Sequence, residues 1–199
     1  GEFVSMDQMT LTIQPNDWPT DEGLYQSVLD RVGGDWPLFH FIVTVETHGP
    51  YVAQDADPKG HVGVTDYRTR LGNAARNLAA FKKELDARGR PYALVLFGDH
   101  LPGLRMHQLY NGMKTEQDPR LHQVPVLIAS NTDNPQLLAE AIQGRPLYCL
   151  SPLILDWIGQ PADERFMNYL DASCRNAEDP KLRPAEAVIQ NQLFSEKPL

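Results

Sequence analysis

Tyr92-Ala93-Leu94-Val95-Leu96-Phe97-Gly98-Asp99-His100-Leu101-Pro102 decides the fold. Tyr92 to Phe97 is a strand-sized apolar run rich in branched and aromatic side chains. Gly98 lets the backbone turn closely. An acid and an imidazole then stand side by side beyond the strand's carboxyl end. A run that is apolar at nearly every position suits a strand covered on both faces, as in parallel sheets. Just upstream, Tyr67, Leu71, Ala74, Leu78, Phe81 and Leu85 recur at four- and three-residue steps. That spacing predicts an amphipathic helix over 66–88, ended by Gly89 and Pro91. Before it, residues 37–46 (Pro-Leu-Phe-His-Phe-Ile-Val-Thr-Val-Glu) read as another buried strand, broken at Thr47-His48-Gly49-Pro50-Tyr51. Strand, helix, strand is a βαβ unit, so 37–46 and 92–98 are expected to run parallel with a right-handed crossover.

Further out, Thr20 is placed to cap a helix with Asp21 and Glu22 in its first turn. Leu24, Val28 and Val32 give that helix one apolar face, and Gly33-Gly34 stops it. Residues 104–122 are polar and mixed, and Val124 to Ala129 reads as a third strand. Gln136–Gln143 and Pro152–Ile158 read as short helices, the second ended by Gly159 and Pro161. The fold class is α/β, a layered α/β/α arrangement around a mainly parallel sheet. Residues 1–15 read as a tag remnant (Gly1-Glu2-Phe3) and an irregular lead-in, 16–173 as the body, and 174–199 as a tail. That tail carries an apolar cluster of Val188, Ile189, Leu193 and Phe194.

The chain has 199 residues, enough to bury a real core. Its formal net charge of −8 argues against a protein held to nucleic acid by a basic face. No apolar run approaches the length of a membrane span. Two cysteines, Cys149 and Cys174, are too few for a disulfide scaffold or a thiolate zinc site. Their spacing leaves two thiols or one disulfide open, and reduced thiols are the expectation taken.

In open parallel sheets, ligands bind beyond the carboxyl ends of the strands. Both strands of the predicted unit end there in polar residues. The first ends in Thr44, Glu46, Thr47 and His48, and the second in Asp99 and His100. One hard oxygen and one imidazole nitrogen suit Zn²⁺ or Mn²⁺. Taken alone, Asp99 more often caps the next segment and His100 more often lies on the surface. Two strands that both end in histidine shift that balance. His48 and His100 are therefore expected on one face, within on the order of 10 Å.

Thr47-His48-Gly49-Pro50-Tyr51 and Phe97-Gly98-Asp99-His100-Leu101-Pro102, separated by a helix, resemble the C-terminal part of catalytic domains in the alkaline phosphatase and sulfatase superfamily. The lipoteichoic acid synthase and phosphoglycerol transferase group is the branch they resemble most. Asn16-Asp17-Trp18 with Asp21, Val124-Pro125-Val126-Leu127-Ile128, and Ser151-Pro152 with Ile154-Leu155 and Ile158-Gly159 agree with it. The resemblance covers about residues 16–160. It implies an alkaline phosphatase-like fold, here a partial domain, with Asp99 and His100 as ligands of a divalent metal (Mn²⁺, Zn²⁺ or Mg²⁺). It implies that His48 contacts the phosphate or sulfate, with Tyr51 nearby. It also implies a phosphate- or sulfate-bearing lipid or glycan substrate and a location outside the cytoplasm, periplasmic or on the cell-surface side of the inner membrane.

The departure from the family is upstream. Its members carry a Thr, Ser or formylglycine nucleophile and an acidic metal ligand on an earlier strand and helix start. Residues 4–36 hold no such strand, so the catalytic nucleophile is absent from this chain and the metal site is incomplete. Cys149-Leu150-Ser151-Pro152-Leu153 begins like the cysteine-type sulfatase motif but has Leu where Arg is required. The expected function is the C-terminal part of a metal-dependent phospho- or sulfo-group enzyme, most nearly a phosphoglycerol-type transferase, inactive by itself. The rival readings are a non-catalytic sulfatase-like binding domain and an ester hydrolase. His107, His61, His40, Asp55, Asp57 and Arg105 are weaker candidates, read mainly as surface, core or solvated-turn residues.

Overall fold

The computed structural model describes residues 2–14, 17–34, 37–59, 61–104, 118–160, 170 and 174. His107, Arg105 and the tail beyond Cys174 lie outside the described residues. Two compact units divide the chain: Gly1–Arg90 with Phe97–Pro125, and Pro91–Leu96 with Val126–Leu199.

In the first unit, helix α1 (Asp21–Leu29) packs on the long helix α2 (Val64–Ala87). The predicted helix over 66–88 is therefore present, with its start two residues earlier. Phe81 and Leu85 are buried as the spacing requires, but Leu71 is exposed. The buried face of α1 is Asp21, Tyr25 and Leu29, one position round from the expected Leu24, Val28 and Val32. Tyr25 stacks on Phe81 with ring centroids 4.7 Å apart, and that contact sets the helix rotation. At the far end, Arg88 donates to the carbonyls of Leu29 (2.7 Å) and Val32 (2.9 Å), closing the last turn of α1.

Two glycines admit close approach. A Cβ at Gly23 would lie 2.3 Å from the Thr10 carbonyl oxygen, where the lead-in crosses α1. Gly63 has φ +84° at the start of α2, and a Cβ there would lie 2.6 Å from that of Tyr51. Asp57 anchors the loop before α2. Its carboxylate accepts from the backbone N–H groups of Gln54 (2.9 Å), Gly63 (2.8 Å) and Thr65 (2.7 Å). Those three bonds hold its pKa well below the usual carboxylate range. Asp57 is thus a loop anchor rather than a solvated turn residue.

Residues 37–46 are a correction: they form no strand. A strand exists only by hydrogen bonding to a neighbour. Residues 38–44 make no backbone hydrogen bond to another described residue. The period of two survives in their burial. Phe39, Phe41 and Val43 are 88%, 70% and 64% exposed, whereas Ile42 and Thr44 are half-buried and Glu46 is buried. From residue 41 to 46 one face is packed and the other bare, whereas Pro37, Leu38, Phe39 and His40 are all exposed. The parallel pair expected between 37–46 and 92–98 is not formed.

The second unit holds a two-stranded sheet of β1 (Ala93–Phe97) and β2 (Val126–Ser130). Near one end of the pair, Gly98 N–H donates to the Pro125 carbonyl at 3.2 Å. At the other end, Tyr92 N–H donates to the Asn131 side chain (2.9 Å), and Ser130 Oγ donates to the Tyr92 carbonyl (2.8 Å). The strands are therefore antiparallel. Helix α3 (Pro135–Ile142) packs on β2 and on α4 (Leu150–Trp157), burying Leu138, Ile142 and Leu150. Asn134 caps α3 with Pro135 in its first turn. Cys149 and Cys174 form a disulfide with Cα atoms 5.5 Å apart, correcting the expectation of reduced thiols. Arg145 beside it donates to the Cys174 carbonyl at 2.7 Å.

Candidate functional site

His48 sits on a short turn that several elements hold. Trp18 Nε1 donates to the Gly49 carbonyl at 2.8 Å, and its ring lies 4.6 Å from that of His48. Gly49–Pro50 is a cis peptide. Tyr51 Oη donates to the Thr47 carbonyl at 2.9 Å, bridging the turn, and its ring meets Tyr67 edge-on at 5.5 Å. Burial and the neighbouring Tyr67 raise the Tyr51 pKa. The phenol therefore stays protonated and keeps its donor on the turn.

Beneath the turn lies Arg70, which is buried. Its guanidinium donates to the carbonyls of His48 (3.0 Å) and Pro50 (3.3 Å) and pairs with Asp66. It also stands over the Tyr51 ring, 5.6 Å from the centroid. Nothing in the sequence reading singled out Arg70. Its signal was its register: positions 70, 74, 77 and 81 share one face of α2, and a charged residue on that face needs a buried partner.

His48 Nδ1 lies 2.6 Å from the Gly49 carbonyl oxygen. A carbonyl only accepts, so Nδ1 carries the hydrogen.

Asp99 and His100 follow β1 as expected and are exposed, with side chains 84% and 68% accessible. Asp99 Oδ1 accepts from His100 N–H at 2.9 Å. His100 Nδ1 donates to the Leu101 carbonyl at 2.8 Å, which leaves the Nε2 lone pair free on the same side as Asp99 Oδ2, 3.5 Å away. An imidazole oriented through one nitrogen with a carboxylate oxygen beside the other is the donor set a divalent cation takes. The pair fits a metal in donor type and tautomer, as two ligands. Among the described residues, no group of three or more His, Cys, Asp or Glu gathers as a metal centre. No hydrogen bond or ion pair joins Asp99 or His100 to His48 among the described residues. His61 is half-buried in the loop before α2, with its Nδ1 buried and unpartnered, and His40 is exposed.

Behind the His48 turn lies a second cluster. Asp21 and Glu46 are 3% and 1% exposed. Asp21 N–H donates to Glu46 Oε2 at 2.9 Å, and Glu46 N–H returns a bond to Asp21 Oδ1 at 3.2 Å. Asn77 Nδ2 on α2 adds a second donor to Glu46 Oε2 at 2.9 Å. Gln14 Nε2 reaches the Glu46 carbonyl at 3.3 Å. Glu46 Oε1 is buried with no partner, as is Thr20 Oγ1. Burial, reinforced by the Glu46 charge against opposing backbone hydrogen bonds, raises the Asp21 pKa to about 6.

A family model described as Sulfatase matches residues 8–160, and the chain belongs to the sulfatase family. That family has an alkaline phosphatase-like α/β fold and is typically metal-dependent. No curated protein and no solved structure matches the chain.

Proposed function

We propose that this chain supplies the Asp99–His100 metal ligands and the anion-handling His48 of a phospho- or sulfo-group enzyme, most nearly a phosphoglycerol-type transferase. The observation that carries it is the orientation of His100, whose Nδ1–H bond to Leu101 leaves Nε2 beside Asp99 for a cation. A divalent metal bound there would neutralise charge on the transferred group and activate the attacking hydroxyl. The ion is Mn²⁺, Zn²⁺ or Mg²⁺. His48, oriented by Gly49 and braced by Trp18 and Arg70, donates from Nε2 to a non-bridging oxygen of that group. Arg70 acts through the turn, because its donors are spent on backbone carbonyls and Asp66.

The motif resemblance supports the transferase branch over an ester hydrolase. The substrate is a phosphate- or sulfate-bearing lipid or glycan. An oxidising compartment outside the cytoplasm is supported by the Cys149–Cys174 disulfide, since such bonds persist there. Among the described residues, no helix is long and apolar enough to cross a membrane.

Two protein ligands do not close a catalytic metal site, and group transfer through a covalent intermediate needs a nucleophile. The 199-residue chain alone is therefore expected to turn over neither phosphate nor sulfate esters. The full catalytic domain, with its hydroxyl and acidic ligand, is expected to do so in a metal-dependent way. There, Asp99→Ala or His100→Ala abolishes turnover, and His48→Ala chiefly weakens handling of the transferred group. The assay uses a chromogenic phosphodiester and phosphatidylglycerol, with and without Mn²⁺. Turnover by the chain alone that disappears in Asp99→Ala would show a complete site here. Metal-independent binding of the lipid without turnover by the full domain would favour a non-catalytic binding domain.

A further inference from the structure

We propose that the buried Asp21–Glu46 pair forms a pH-sensitive latch that positions the His48 turn. The geometry is reciprocal. Each carboxyl accepts the other residue's backbone N–H, at 2.9 and 3.2 Å, so the first turn of α1 and the segment leading to His48 are tied twice. Both side chains are almost wholly buried. Glu46 Oε1 has no hydrogen-bond partner. Two carboxylates buried side by side repel, and a proton on Asp21 removes that repulsion.

The surroundings do not supply a counter-charge. Tyr25 on α1 faces the pair, and its own pKa is raised by burial and by the charges of Asp21 and Glu46. Asn77 from α2 and Gln14 from the lead-in are neutral donors. Among the described residues, no Lys, Arg or His makes an ion pair with either acid. Protonation is thus the remaining way to neutralise the cluster.

The coupling to His48 is short. Glu46 stands two residues before it, the Glu46 backbone N–H is one of the latch bonds, and Val45 carbonyl accepts from His48 N–H at 3.0 Å. Asp21 and Glu46 are positioning residues: they act on the turn through the backbone. The latch rests on the assignment of His48 as the group-binding histidine only for its use in function; its titration stands on its own.

Asp21 holds its proton more tightly folded than unfolded, with about 6 against 3.8. Between those values the folded state keeps a proton that the unfolded chain has released. Stability therefore falls as pH rises through this window, and the loss is complete above the folded value.

The test is a carboxyl-carbon NMR titration of the 199-residue chain, with amide exchange at Glu46 and at His48 followed in parallel. A carboxyl inflection near pH 6 is expected for Asp21. Exchange at the Glu46 N–H, corrected for its intrinsic pH dependence, should quicken about tenfold between pH 5 and 8. Exchange at the His48 N–H, held by the Val45 carbonyl, should quicken over the same range. Asp21→Asn keeps the acceptor for Glu46 N–H but cannot titrate, and it should remove both pH effects. Asp21 titrating below pH 5, or Asp21→Asn retaining the wild-type pH dependence, overturns the latch. Should Asp21→Asn fail to fold, the wild-type titration alone decides. An Asp21 inflection with no change in protection of the His48 N–H overturns the positioning role. None of these readouts requires turnover, so failure of the latch is separable from failure of the proposed function.

Discussion

Arg70 shows how a site depends on a side chain that never touches what it serves. Its guanidinium is spent on Asp66 and on the carbonyls of His48 and Pro50. Removing it leaves a largely buried carboxylate without its cation, the costly way to break a buried pair. Arg70→Ala should therefore lose about 3 kcal/mol of stability by chemical denaturation. Arg70→Lys should recover only part, because an ammonium lacks the planar fork that spans two carbonyls. An Arg70→Ala loss within the range of an ordinary surface substitution, about 0.5 kcal/mol, would mean the turn stands without it. Sequence reading singled out His48, Asp99 and His100 because they stand in short motifs, Asp99 and His100 at the end of a strand. It missed Arg70 and Asn77, and read Asp21 only as an acid at a helix start, because their roles come from contacts to distant segments. No local pattern encodes those.

At the scale of elements, the amphipathic helix over 66–88 was legible because its period is set by its own residues. The segment 37–45 carries just as clear a signal, yet no ladder forms. Its alternation is local, but its hydrogen bonds must come from elsewhere. The result is a row of exposed Phe39, Phe41 and Val43 beside unpaired backbone, the arrangement that invites edge-to-edge association. Phe41→Lys should suppress concentration-dependent light scattering while changing stability by no more than about 0.5 kcal/mol. Scattering that is the same in wild type and variant would place the association elsewhere. The antiparallel pairing of β1 with β2 was not legible either. The sequence reading supplied both strands, but only the hydrogen bonds at Gly98 and Tyr92 fix their relative direction.

For the whole molecule, the family was readable from two short motifs, and the match over residues 8–160 agrees with them. The division into two units was not readable, because each unit is assembled from segments far apart in the chain. Nor was the disulfide, since a separation of 25 residues neither brings two cysteines together nor keeps them apart. Closing a loop of that length restricts the unfolded chain, and losing it should cost about 3 kcal/mol. Cys149→Ser, or reduction of the wild type, should lower the denaturation midpoint by that amount. The effect should concentrate in amides of α3 and α4. An unchanged midpoint on reduction would show that the packing of Leu138, Ile142 and Leu150 holds the unit without the crosslink.

The contact between Trp18 and His48 gives the protein an optical gauge of its own. A ring packed against an indole is part of the indole's surroundings, so a rearrangement of the His48 turn changes the emission of Trp18. Movement of the turn can be followed in this way without a label.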